Sequence, residues 1–268
     1  MNKPQLIGIL NITKESFSDG GKYIDLQNAI THVDQMILDG VDIIDIGAES
    51  TQPGFSEIDE DTQIERIVPI IKEIKKRHAN AKISIDTRSH IVAEKAIHLG
   101  VSMINDVSSG THDPKMFEML SNYDSKIILT HMSPDHVNKK LTSYSDIIDT
   151  LLNYFENRIN HAVESGIRKD RIIVDPGISF GKSGSDNIKI IKNIASFVNS
   201  FGQVCLGVSR KRFSSKIFKN YKEEDLKFAS LAITSFATYE GVEFMRVHDI
   251  DSNKDALDVT WKTIQAQT

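Results

Sequence analysis

Short apolar runs alternate along the chain with longer stretches in which apolar residues recur every three or four positions. The short runs, 6–10, 41–46, 83–85, 102–104, 126–130, 172–174, 204–208 and 244–247, predict β-strands. The longer stretches, 26–38, 62–77, 91–99, 114–120, 144–164, 187–198, 223–239 and 255–264, predict helices. In 62–77 the stripe Ile64, Ile67, Ile70, Ile71 and Ile74 marks an inward face, as Ala29, Ile30, Val33 and Ile37 do in 26–38. Ser89 stands where an N-cap is needed before 91–99, and Gly100 where that helix must stop.

Each strand is thus followed by a helix, eight times, with no linker or low-complexity stretch between the units. Strands joined through helices run parallel, and eight such units in a chain of 268 residues fit a closed (β/α)8 TIM barrel, one domain spanning 1–268. A doubly wound open sheet is the alternative. It would normally carry a Gly-rich phosphate turn after the first strand, and Ile9-Leu10-Asn11-Ile12-Thr13 is not one.

Composition narrows the class further. A hydrophobic content of 40% supports a large core, and a net charge of −5 gives no general attraction to nucleic acid or membrane. Cys205 is the single cysteine and lies in an apolar strand pattern, which predicts a buried, inert thiol and excludes an internal disulfide framework. The run 6–10 is too short for a signal-peptide core, and no segment is long enough for a membrane helix. The expectation is a soluble cytoplasmic protein.

In a (β/α)8 barrel the chemistry sits at the carboxyl ends of the strands. Those ends carry Asn11, Asp45 with Glu49, Asp86, Asn105 with Asp106, His131, Asp175, Ser209 to Lys211, and Arg246 with His248. Nearly every strand delivers a polar group, more than a structural face needs. Asp86, Asn105 and Asp175 suit a heterocycle rich in N–H donors and acceptors. The run Ile172-Ile173-Val174-Asp175-Pro176-Gly177 places a carboxylate at a strand end, where it can accept two hydrogen bonds side by side from a guanidinium-like edge. Arg246, His248, Asn11 and the backbone of Ser50-Thr51 suit a phosphate-type anion, with or without a metal. Lys211 is a point charge between the two sets, and Met132 and Phe180 are candidate walls. His131 and His136 straddle a strand end and a loop without a Cys or acid to complete a metal set. Asp45 and Asp106 are open to two readings, as site groups or as acids that hold loop N–H groups.

The segments Gly8–Thr13 with Ser16–Gly21, Gly47–Thr51, Ser84–Thr87, Ile104–Asp106, Asp175–Gly177 with Phe180–Lys182, Ser209–Lys211 and Arg246–His248 together resemble the dihydropteroate synthases over almost the full chain. Their shared order and spacing make the resemblance specific. It implies a (β/α)8 enzyme, usually dimeric. The reaction it implies condenses 6-hydroxymethyl-7,8-dihydropterin diphosphate with p-aminobenzoate to 7,8-dihydropteroate and pyrophosphate, with Mg2+. It assigns the pterin to Asp86, Asn105, Met132, Asp175, Phe180 and Lys211, with Asp86, Asp175 and Lys211 in catalytic roles. The diphosphate falls to Asn11, Thr51, Arg246 and His248, with Asn11 also on the metal. The p-aminobenzoate falls to Phe17, Thr51, Pro53, Lys211 and Arg212. Sulfonamides are the competitive inhibitors it implies.

Three positions depart from the family pattern. Lys14-Glu15 replaces a common Pro-Asp, Ser179 a common Gly, and Gln52 the Arg that usually precedes Pro-Gly. Arg66, Lys182 and Lys216 are the candidate cations to replace that Arg. Two other readings compete. Methyltetrahydrofolate–corrinoid methyltransferases share the barrel and similar Asp and Asn residues, but lack Ser-Arg-Lys and Arg-Val-His signatures. A pterin-binding module without catalysis is opposed by the intact Lys211, Arg246 and His248.

Overall fold

The computed structural model describes residues 2–12, 22–49, 57–213 and 222–266. Its strands are β1 Gln5–Asn11, β2 Ile43–Gly47, β3 Lys82–Asp86, β4 Met103–Asp106, β5 Lys126–Thr130, β6 Ile172–Asp175, β7 Cys205–Leu206 and β8 Phe244–Val247. The helices are α1 Lys22–Leu38, α2 Glu60–Arg77, α3 His90–Ile97, α4 Met116–Ser121, α5 Ile147–Glu164, α6 Gly184–Lys192, α7 Ile194–Phe201, α8 Glu223–Tyr239 and α9 Ile250–Gln265. The strands form one parallel sheet in the order β6-β5-β4-β3-β2-β1-β8-β7. A parallel bridge from Val174 to Val204 brings the last two edges together, and the sheet becomes a (β/α)8 barrel.

Side chains along each strand alternate between two apolar layers. Leu6, Leu10, Ile44, Ile46, Ile83, Ile85, Ile104, Ile127, Leu129 and Val174 face outward and pack with the helices. The opposite phase fills the barrel: Ile7, Ile43, Met103, Ile128, Ile173, Cys205 and Phe244 form a separate buried cluster. Cys205 is therefore core, and burial pushes its thiol well above the ordinary range.

Local chemistry explains the element limits. Ser89 caps α3 by accepting from the Val92 N–H, and Asp59 caps α2 through Thr62. The expected single helix over 187–198 is two, α6 and α7, broken at Asn193. The Asn193 side chain donates to the Lys189 carbonyl, a local bond that competes with the helical ladder. The seventh strand is shorter than expected, because Val204 makes the closing bridge outside it. The last helix begins at Ile250, five positions before its apolar stripe suggests, with the Asn253 amide tied to the Asp249 carbonyl.

Candidate functional site

The barrel phase locates the site. Two residues beyond Ile43, Met103, Ile173 and Phe244 stand Asp45, Asn105, Asp175 and Arg246, which therefore share the inward face. On β3 the same phase runs through Ser84 to Asp86, and on β1 through Ile7 to Asn11. The register sets Gly47 beside Asp86, Asp86 beside Asn105, and Thr130 beside Asp175. One apolar floor thus carries a ring of polar groups.

Arg246 ties this ring together. Its Nε donates to Asp45 Oδ2 at 2.7 Å and its Nη2 to Asp86 Oδ2 at 2.9 Å. Asn105 Nδ2 donates to the same Asp45 oxygen at 3.3 Å. On the far wall, Asp175 Oδ1 accepts the Gly177 N–H at 2.8 Å. Lys211 Nζ donates to the Ile178 carbonyl at 2.6 Å and lies 4.8 Å from the centre of the Phe180 ring. Gly207 leaves room between these groups. A Cβ there would lie 3.7 Å from Asp175 Oδ2, 3.8 Å from Arg246 Cβ and 4.0 Å from Lys211 Nζ. His248 is held by Ser209, whose hydroxyl accepts the His248 N–H at 3.1 Å and bonds its Nδ1 at 3.0 Å.

Burial governs the charges. It raises the Asp86 carboxyl, a rise that Arg246 opposes and Asp45, Asp106 and Glu49 reinforce. Asp175 is raised by burial and held back by Lys211, the Gly177 N–H and Arg246. Lys211 is lowered to about 8 by burial, with Asp175 acting the other way. Burial would lower Arg246, but Asp45 and Asp86 keep it above its ordinary value. Burial, with Arg246 and Arg210 nearby, lowers His248 to about 4, so its imidazole is neutral near pH 7.

The turn that carries Asp175 is closely built. Gly177 has φ +69°, and a Cβ there would lie 2.0 Å from the His131 carbonyl oxygen. Lys182 Nζ donates to that oxygen at 2.9 Å and to the Gly177 carbonyl at 2.7 Å, closing the turn from beneath. Asp106, one position out of phase with Asn105, accepts from the N–H groups of Ser108 and Gly110 and belongs to the loop.

The chain and its barrel are similar to known proteins. A sequence model of the pterin binding enzymes matches residues 7–248. A dihydropteroate synthase of Streptococcus pyogenes serotype M6 is 37% identical over 255 residues, covering 95% of this chain and 93% of the relative. The chain belongs to the dihydropteroate synthase family. The Clostridium difficile dihydropteroate synthase crystallised in the presence of pteroic acid superposes with a TM-score of 0.91 at 34% identity, covering 98% of each chain. The Yersinia pestis dihydropteroate synthase in a sulfonamide drug complex gives 0.90 at 30% identity, covering 98% of this chain and 95% of that one.

In this family member the barrel mouth gathers Asp86, Asn105, Asp175, Lys211 and Arg246, as the strand ends predict. Asn11 lies exposed at the end of β1, and Met132 and Phe180 are half-buried at the rim. Arg212 is exposed and lines a cavity of about 350 Å³ with Lys139, Lys140, Leu141, Ser179 and Phe213. Phe17, Thr51, Pro53, Gln52, Lys14-Glu15 and Lys216 lie outside the described residues.

Several readings change. Asp45 does not hold loop N–H groups: its Oδ2 is bonded to Arg246 and Asn105, and its Oδ1 is buried without a hydrogen-bond partner among the described residues. Glu49 does not face a ligand. Its carboxylate pairs with Arg88 at 2.7 Å and accepts the Ile58 N–H at 3.0 Å. His131 is buried against Tyr154, and burial, with Lys182 nearby, lowers it to about 3. Arg66 and Lys182 are also removed as replacements for the missing Arg, since both are buried and bonded to backbone carbonyls. Sequence reasoning missed Gly207 and the anchoring role of Asp45. Only the two-residue phase within each strand could have signalled them.

Proposed function

We infer that this chain is a dihydropteroate synthase that condenses 6-hydroxymethyl-7,8-dihydropterin diphosphate with p-aminobenzoate, giving 7,8-dihydropteroate and pyrophosphate. The observation that carries this is the convergence of Asp86, Asn105, Asp175, Lys211 and Arg246 on one barrel mouth, in a chain whose relatives are dihydropteroate synthases. Among the described residues no helix is long and apolar enough to cross a membrane.

Asp175 accepts from the 2-amino and N3–H edge of the pterin, a pair of donors suited to one carboxylate. Asp86 and Asn105 read the neighbouring edge, and Lys211 donates from the Phe180 side, with Met132 and Phe180 as walls. As the diphosphate departs, positive charge grows on the pterin methylene, and Asp86 and Asp175 stabilise it. Arg246, His248, Asn11 and Thr51 hold the diphosphate. The p-aminobenzoate lies with Lys211, Arg212, Phe17, Thr51 and Pro53. A neutral aniline is already nucleophilic, so the attack calls for position and a dry site more than for a general base.

The donor set fits Mg2+ that arrives with the diphosphate. Among the described residues no group of three His, Cys, Asp or Glu could hold a metal alone. The amide oxygen of Asn11 lies over Gly47, 3.6 Å from where a Cβ would be, at the open mouth. A hard cation that takes one protein oxygen, phosphate oxygens and water suits that arrangement. When bound, Mg2+ would offset the charge of the leaving pyrophosphate.

The chain pairs with a second copy through α8. Phe228, Phe236 and Tyr239 share one face of that helix and are exposed, Phe228 and Tyr239 by more than half (63% and 65%). The Yersinia pestis sulfonamide complex supports competition between sulfonamides and p-aminobenzoate here.

Pyrophosphate release tests the reading. It should require the pterin diphosphate and p-aminobenzoate together, depend on Mg2+, and be inhibited by sulfamethoxazole competitively with p-aminobenzoate. Release that ignores p-aminobenzoate, or no release at all, contradicts the assigned reaction.

A further inference from the structure

Asp45 is fully buried, yet one of its oxygens holds two residues of the site. Asp45 Oδ2 accepts from Arg246 Nε at 2.7 Å and from Asn105 Nδ2 at 3.3 Å. A carboxylate paired to a guanidinium offers acceptors only. The Asn105 amide therefore has one stable orientation. Turned over, it would set its own oxygen against Asp45 Oδ2, an acceptor against an acceptor in a buried place. Held as it is, Asn105 spends one N–H on Asp45. A second N–H and the carbonyl oxygen remain, side by side, on the inward phase of β4.

That pair fits an edge with an acceptor beside a donor. With the 2-amino and N3–H groups on Asp175, the next edge of a 7,8-dihydropterin offers N1, an acceptor, and N8–H, a donor. In a fully oxidised pterin N8 carries no hydrogen and presents a lone pair. The Asn105 oxygen would then face another acceptor, and the amide has no freedom to turn. We propose that Asp45 is a positioning residue that sets the oxidation-state specificity of the site: by fixing the Asn105 amide it selects the 7,8-dihydro ring over the oxidised ring. This rests on the pterin reading above and adds to it the source of discrimination. A site built to accept a hydrogen bond discriminates strongly against a ligand that lacks the donor. Arg246, the other partner of Asp45, carries no such information, because its contacts with a diphosphate are the same for either ring.

The test compares 6-hydroxymethyl-7,8-dihydropterin with 6-hydroxymethylpterin by anaerobic calorimetry on the full chain. The unsubstituted protein should prefer the dihydro ring by at least about tenfold. In Asp45→Asn, residue 45 can donate or accept, so Asn105 is free to turn. Both rings should bind more weakly and the preference should fall to within about threefold. An unchanged preference in a folded Asp45→Asn protein, or none in the unsubstituted one, overturns the proposal. If Asp45→Asn does not fold, Asn105→Leu decides: loss of the preference supports the proposal and its retention overturns it. Failure to bind either ring would instead sink the pterin reading, whereas equal binding of both sinks only the role of Asp45.

Discussion

At the level of single residues, Asp175 and Lys211 give the proposed site its most direct tests. One Asp175 oxygen accepts the Gly177 N–H and keeps a second lone pair, and the other lies toward Gly207, where no side chain stands in the way. Asp175→Asn replaces an acceptor by a donor that faces the donors of the ligand. Pterin affinity should fall at least about tenfold, because a hydrogen bond to a charged group contributes roughly 1.5–3 kcal/mol. Calorimetry with a non-reactive pterin reads this directly, and an unchanged affinity would remove Asp175 from the site. Lys211 gives a pH signature. Burial lowers it to about 8, so its ammonium is present below that pH and lost above it. The pterin diphosphate kcat/KM should therefore decline on the alkaline side with a midpoint near 8, and that limb should vanish from the residual activity of Lys211→Met. A limb that persists in the variant would belong to another group.

At the scale of elements, the strands place the site and the turns hold it. Gly177 has a left-handed backbone with no space for a Cβ, which would lie 2.0 Å from the His131 carbonyl oxygen. Gly177→Ala should cost about 3–5 kcal/mol of stability, a value typical of combined strain and overpacking. Urea denaturation would show it as a lowered midpoint, and a change below about 1 kcal/mol would mean that the turn relaxes freely. The second loop carries a different expectation. With Arg66 and Lys182 already bonded to carbonyls, neither supplies the charge that Gln52 lacks. Gln52→Arg should then lower the Michaelis constant for the pterin diphosphate, most clearly at low Mg2+, by the equivalent of about 1–2 kcal/mol. Constants that stay unchanged across Mg2+ concentrations would show that residue 52 does not act on the diphosphate.

Much of this architecture was legible from local pattern, for physical reasons. Strands 126–130 and 244–247 and helix 223–239 match the structure at both ends, because apolar phase and polar stops agree there. Asp86, Asn105 and Asp175 stood out because polar side chains close apolar runs on strand after strand, at the end of the barrel where sites form. The Asp45–Arg246 pair did not, since its partners lie 201 positions apart and meet only when the barrel forms. The split at Asn193 was hidden as well, because an apolar stripe continues across it while one amide bond interrupts the ladder.

The whole molecule should be sensitive to acid in a way that the buried His131 and the half-buried His248 predict. Burial lowers His131 from 6.5 to about 3 and His248 from 6.5 to about 4. Both bind protons more readily in the unfolded chain. Their contribution to stability is therefore full above pH 6.5 and is lost progressively as the pH falls toward those lower values. For His131 the loss amounts to about 3–5 kcal/mol across that window. His131→Phe keeps a ring against Tyr154 and removes the proton uptake. Its acid-unfolding midpoint should move to lower pH, and a midpoint that stays put would place the acid sensitivity elsewhere. Pairing through the exposed face of α8 is checked by sedimentation. A dimer that Phe228→Glu dissociates is expected, and a monomer at all concentrations would refute the pairing.

On this reading the inward-facing residues just above the apolar floor of the barrel form one pterin site. A crystal structure of the chain with a non-reactive pterin and pyrophosphate tests it most directly. The ring is expected to bond to Asp86, Asn105, Asp175 and Lys211, with pyrophosphate on Arg246 and His248. A pterin bound away from these strand ends, or turned so that Asp175 meets no N–H donor, would contradict it.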